Sequence, residues 1–157
     1  MTIRTCLHST LLLSCLALQA CVTGFAEHRT GVADQQLLSC PPPPRCVSST
    51  ETRPERSIAP LEIHGAPEFA FASIAEHIAG LPRTTLVTRR ADYLHAEIIS
   101  PWHFYTDDLE LLMLKDQGLI QIRSTGRIGY YDFEVNRDRV EALRAALAEQ
   151  GLVKPAR

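Results

Sequence analysis

The sequence predicts an α+β domain, a mainly antiparallel sheet of about five strands with two helices packed on one face. Short β-branched and alternating runs follow one another between residues 58 and 124, separated by turn-length gaps. Two stretches, 68–80 and 137–150, carry apolar residues at helical spacing. Only the first of these helices interrupts the strands, an order that favours hairpin-linked antiparallel neighbours over repeated βαβ units.

The elements follow in order. Residues 58–63 predict a strand. Pro67 opens a helix over 68–80, with Phe71, Ile74, Ala75 and Ile78 as its apolar stripe and Gly80 and Pro82 as its stop. Residues 84–89, 93–99 and 104–114 predict three more strands, the last one long. Lys115-Asp116-Gln117-Gly118 is a turn, and 119–124 a further strand. The final helix covers 137–150, with Asn136 as its N-cap, Val140, Leu143 and Leu147 on one face and Gly151 as its stop.

At 157 residues, 45% hydrophobic and 22% charged, the chain has material for one core. Its first twenty residues have the pattern of an export signal: a positive charge at Arg4, an apolar run over 11–18 broken only by Ser14 and Cys15, then small residues. That run is shorter than the roughly 20 residues a membrane-spanning helix needs. Leu18-Gln19-Ala20-Cys21 resembles the lipobox of bacterial lipoproteins, in which the Cys thiol is diacylated by palmitate-like chains. Two acyl chains would give durable anchoring, at about 0.8 kcal/mol per buried methylene. The rival cut, after Gly24-Phe25-Ala26, would release a soluble periplasmic protein. Val22, in place of Asp, resembles lipoproteins forwarded to the outer membrane. The expected organisation is thus a signal peptide over 1–20, a lipidated Cys21 and polar tether over 21–57, and one domain over 58–152.

Removing residues 1–20 takes away Arg4 and no acid, leaving 15 basic against 18 acidic residues. This balance predicts no bulk attraction to nucleic acid. The expected partners are the membrane, through its lipid anchor, and an envelope protein or a small anionic ligand. Inside the tether stands Cys40-Pro41-Pro42-Pro43-Pro44-Arg45-Cys46. Export to an oxidising compartment points to a disulfide between Cys40 and Cys46. Four prolines in extended form would instead hold their Cα atoms roughly 18 Å apart, whereas a disulfide needs them within about 7 Å. Either the arm bends, for instance at a cis proline, or it is a stiff rod with two free thiols.

Cys40-Pro41 through Pro44-Arg45-Cys46-Val47-Ser48-Ser49, Tyr93-Leu94-His95-Ala96-Glu97, Asp107-Asp108-Leu109-Glu110, Arg123-Ser124 through Arg127-Ile128-Gly129-Tyr130, and Asn136-Arg137 through Arg139-Val140-Glu141 follow one another along the chain. In order and wording these segments resemble the domain of unknown function 1499 family. The resemblance runs from about Cys40 to Arg144 and implies a small envelope or organelle-lumen domain, with no activity attached. The sequence departs from the family at Arg45, where Asn is common, at Gly126, where Ala or Ser is expected, and at Glu134, where Gly is expected.

Strand alternation sorts the side chains by face. Leu94, Ala96, Ile98, Leu109, Leu111, Met113, Ile120 and Ile122 point to the helices. Tyr93, His95, Glu97, Asp108, Glu110, Gln121 and Arg123 gather on the opposite face. That face is either a solvated surface of cross-strand ion pairs or a binding groove in which His95 exchanges protons near neutrality. Asp107 falls on the apolar side, where a carboxylate needs an arginine such as Arg127 or Arg137, or backbone N–H donors. Arg123, Ser124, Arg127, Asn136, Arg137 and Arg139 form the one basic concentration, beside a helix start that attracts anions. Asp107, Asp108, Asp132 and Glu141 are the internal partners at hand.

No phosphate loop or nucleophile elbow occurs. The Cys40–Cys46 spacing does not suit zinc, and His64, His77, His95 and His103 lack helical ligand spacing, so no metal or other cofactor is expected. A nucleophilic pair of Cys46 and His95 is disfavoured by the prolines beside the cysteine. The expectation is a non-catalytic binding or structural module. The alternative is an enzyme or anion carrier built on His95, Asp107, Asp108, Arg123 and Arg127.

Overall fold

The alternating runs build a six-stranded antiparallel sheet in the computed structural model, which describes residues 29–102 and 104–155. The expected signal peptide, the lipobox at Cys21, the rival cleavage site and His103 lie outside the described residues. The elements are β1 (Val32–Ala33), β2 (Gln36–Leu37), β3 (Cys46–Ser48), β4 (Leu61–Glu62), α1 (Pro67–Ala79), β5 (Thr84–Arg89), β6 (Tyr93–Ile99), β7 (Thr106–Leu114), β8 (Leu119–Gly126) and α2 (Val135–Glu149). Sheet order is β3-β8-β7-β6-β5, with β4 beside β3 on the same edge of β8, and β1 and β2 form a separate hairpin. The β7–β8 turn is the predicted one: Lys115–Gln117 make a single 3-10 turn, and Gly118 closes it at φ +64°, a left-handed conformation that suits glycine.

The α+β architecture and the helix-facing stripe are as the sequence predicts. Leu94, Ala96, Leu109, Leu111, Ile120 and Ile122 are buried against Ala70, Phe71, Ile74 and Ile78 of α1 and Val140, Leu143 and Leu147 of α2. Each of the larger side chains among these contributes about 1.5–3 kcal/mol on leaving water, and each alanine methyl less. No helix among the described residues is long and apolar enough to cross a membrane.

Three expectations need correction. The packed unit does not begin at residue 58: β3 pairs with β8, and Val47 joins the main core. Further upstream, the β1–β2 hairpin lies on the sheet face opposite the helices, where Leu37 packs with Tyr93 and Leu112. Strands of two or three residues are too short to show periodicity, so composition alone made this segment look like a tether. The strand expected over 58–63 shortens to Leu61–Glu62, with Ile63 adding an isolated bridge to Val153. Asn136 is not the N-cap of α2. It sits inside the first turn, fully buried, while Asp132 accepts from the Glu134 and Asn136 N–H groups.

The proline arm is bridged and bent. Cys40 and Cys46 form a disulfide with Cα atoms 5.7 Å apart, so the stiff rod with free thiols is set aside. No cis peptide occurs among the described residues. The bend is a tight turn, with the Arg45 N–H donating to Pro43 O at 2.9 Å. The Arg56 guanidinium holds it from inside, donating to Pro41 O at 2.6 Å and to Pro42 O.

Candidate functional site

The register of β6, β7 and β8 sets His95 opposite Glu110, Glu97 opposite Asp108, and Glu110 opposite Arg123. On the face away from the helices these side chains resolve into two adjoining ion-pair groups. In the first, Arg127 clasps Asp108 with its fork, Nε to Oδ2 at 2.9 Å and Nη2 to Oδ1 at 2.8 Å, and also reaches Glu97. His95 Nε2 donates to the same Asp108 Oδ1 at 2.6 Å. In the second, Glu110 accepts from the Tyr93 hydroxyl at 2.7 Å, from the Gly31 N–H at 2.6 Å and from Arg123 Nη1. Arg123 also donates to the Arg29 carbonyl at 3.0 and 3.1 Å.

The cross-strand ion pairs expected of this face are present, but its centre is neither solvated nor a groove. It is not solvated, because the side chains of Asp108 and Glu110 are 0% exposed. Nor is it an open groove around His95, because residues 29–38 lie over its middle and tie themselves to it. Besides the bonds from Gly31 and to Arg29, the Leu37 N–H donates to Gln121 Oε1 at 3.0 Å. Burial of these charges costs free energy that only close partners offset, and the partners are present. The Nε of Arg123 is the exception, buried without a hydrogen bond.

The electrostatics follow from these contacts. The hydrogen bonds from Arg127 to Asp108 and Glu97 hold its guanidinium charged, against the opposing effect of burial. Burial, with the Glu110 carboxylate beside it, holds the Tyr93 hydroxyl protonated far above the usual phenol range. Tyr93 is therefore a donor here, not a base.

On the helix side of the sheet lies a third polar group, which the sheet separates from the other two. Asp107 pairs with Arg139 of α2, Nη2 to Oδ2 at 2.6 Å, not with the expected Arg127 or Arg137. Alternation puts Asp107 and Asp108 on opposite faces, so they cannot share a partner on one side. Burial raises the Asp107 carboxyl above its ordinary value, and Arg139 pulls against that shift. Asn136 accepts from the Ser124 hydroxyl and from Arg139, both at 2.6 Å, and donates to Arg45 O at 3.2 Å and Asp132 at 2.8 Å. Arg137 stands apart, bonded to Ser57 O, Glu55 O and Glu134. Cys46, in its disulfide, offers His95 no thiolate.

Sequence reasoning missed Arg45 and Arg56 as organising residues. Arg45 donates to Gly126 O at 2.8 Å, to Arg127 O at 3.2 Å and to Gly129 O, and so fixes the loop after β8. A Cβ at Gly126 would stand 3.3 Å from Asp107 Oδ1 and 3.4 Å from Arg45 Cδ. Two departures from the family wording therefore touch, and a glycine at 126 leaves room for the long side chain at 45. An arginine inside a proline-rich run was the available signal. Among the described residues, no group of three or more His, Cys, Asp or Glu is placed to hold a metal ion.

Fold and site together define a small α+β domain whose polar sheet face is covered at Glu110, Gln121 and Arg123 by the chain's own upstream segment, with Arg127 and Glu97 left partly exposed. The chain belongs to the DUF1499 family, protein of unknown function, whose model matches residues 36–147. No curated protein and no solved structure matches the chain.

Proposed function

We propose that this protein is a membrane-anchored periplasmic lipoprotein whose domain is a non-catalytic binding or structural module. The observation that carries the second half is the internal pairing of the polar face. His95, Asp107, Asp108, Arg123 and Arg127, the residues an enzyme or anion carrier would use, are each paired within the protein: His95 and Arg127 with Asp108, Arg123 with Glu110 and the Arg29 carbonyl, and Asp107 with Arg139. A closed ion-pair group of this kind fixes the register of strands and of an upstream segment that has little apolar surface of its own. The first half rests on the apolar run ending Leu18-Gln19-Ala20-Cys21, and Val22 favours the outer membrane. Labelling cells with a palmitate analogue should tag the wild type and not Cys21→Ser. Equal labelling of both discards lipidation.

A further inference from the structure

Two loops meet at one end of the sheet. The β6–β7 loop holds Trp102, Phe104 and Tyr105, exposed by 78%, 76% and 54%. The β8–α2 loop holds Ile128, Tyr130, Tyr131 and Phe133, also exposed. The Arg127 N–H donates to Thr106 O at 3.2 Å, which ties the base of the second loop to the start of β7, where the first loop ends. Ser100 and Tyr105 close the first loop on itself, and the rings of Tyr131 and Phe133 stack edge to face at 5.3 Å. At about 150–250 Å² per aromatic side chain, the exposed part of these rings is on the order of 700 Å². Soluble monomers rarely leave so much apolar surface in water at one end of a sheet.

We propose that these two loops are a membrane-docking edge, which inserts its aromatic side chains into the interfacial region of a phospholipid bilayer. Two features select a lipid surface as the occupant. The composition is that of interfacial belts, where Trp and Tyr sit with an apolar body in lipid and a polar tip in the headgroups. The course of the chain points the same way. Traced backwards from Leu37 to Arg29, it advances along the sheet from the level of Gln121 to that of Arg123, toward the end that carries the loops. Cys21 lies eight residues before Arg29, a reach of at most about 29 Å. This part of the argument rests on the lipid-anchor reading, and it makes the leash short enough to hold the aromatic edge at the bilayer surface. With 18 acidic residues against 16 basic in the whole chain, attraction must come from apolar insertion, so docking should be insensitive to salt and to headgroup charge.

Trp102 is the chain's single tryptophan, so its fluorescence reads the edge directly. Full-length protein purified from host membranes is reconstituted into vesicles of zwitterionic phospholipid containing brominated acyl chains. Co-flotation reports the anchor, and Trp102 reports docking. Docking gives a blue shift and quenching by the brominated lipid. It also gives roughly tenfold weaker vesicle affinity for each of Phe104→Ser and Tyr130→Ser, measured in unlipidated protein that lacks residues 1–21. Flotation with an unshifted, unquenched Trp102 overturns docking and leaves the anchor standing. Failure to float removes the anchor reading, and docking is then decided by whether Trp102 shifts as vesicles are titrated in. A blue shift without lipid that grows with protein concentration overturns the proposal in favour of a second copy of the chain as occupant.

Discussion

Replacing Arg127 by alanine removes three charge-assisted hydrogen bonds, two to Asp108 and one to Glu97. It leaves Asp108, whose side chain is fully buried, still accepting from His95 at 2.6 Å. Removing one partner of a fully buried ion pair costs about 3–5 kcal/mol. Arg127 itself is 29% exposed, and water screens part of its attraction. The expected destabilisation is therefore about 2–3 kcal/mol, a drop in Tm of roughly 6–15 °C for a domain of this size. Two comparisons calibrate it. Arg123→Ala should reach about 3–5 kcal/mol, because both Arg123 and Glu110 are enclosed. Arg89→Ala, which breaks the exposed pair with Glu76, should cost under about 0.5 kcal/mol. Urea and thermal unfolding in low-salt buffer, with and without added phosphate, give the ranking. If the arginines are held ready for an external anion, their removal relieves repulsion in the empty protein and costs little. A loss under about 1 kcal/mol for Arg127→Ala, together with a phosphate-dependent rise in the wild type that the variant lacks, refutes the internal-brace reasoning.

Other outcomes are expected at separate places. Changing Cys40 and Cys46 together to alanine opens a short loop already stiffened by four prolines, so the loss should be about 1–2 kcal/mol by urea unfolding; a loss above about 4 kcal/mol points to a native-state role for the bridge beyond loop closure. The raised Asp107 carboxyl favours the folded state in its protonated form. Stability from it is present below the unfolded value, near 3.9, and is lost as pH rises through the higher folded value. The stability of the wild type relative to Asp107→Asn should therefore increase as pH falls through that window, and a decrease measured by unfolding at a series of pH values contradicts the assignment. Glu134 sits at φ +67°, where a side chain costs about 1–2 kcal/mol and glycine costs part of that back in chain entropy. Glu134→Gly should stabilise by about 0.5–1 kcal/mol despite losing the exposed contact with Arg137, and any clear destabilisation shows that the strain lies elsewhere.

The sequence by itself determined the sheet and its two faces. Strands of six residues or more repeat their pattern often enough to be read, as Thr84–Arg89 and Tyr93–Ile99 were. The stripes on α1 and α2 fixed which face they cover, and alternation alone put His95, Asp108, Glu110 and Arg123 together on the other. Only the tertiary structure decided what happens to that second face. Its cover is a hairpin of two-residue strands and a few backbone hydrogen bonds, donated by the Gly31 and Leu37 N–H groups and accepted by the Arg29 carbonyl. Backbone donors and acceptors carry no residue-specific signal, so nothing in the letters of that segment announces them. The sequence pointed to Arg127 or Arg137 as the partner of Asp107 and missed Arg139, because the three arginines are equivalent until α2 is docked. Helix docking places Arg139 over the apolar face, while the turn after β8 sends Arg127 to the opposite one. Which arginine meets which carboxylate is a property of the packed chain, since a guanidinium reaches only the few ångströms its fold allows.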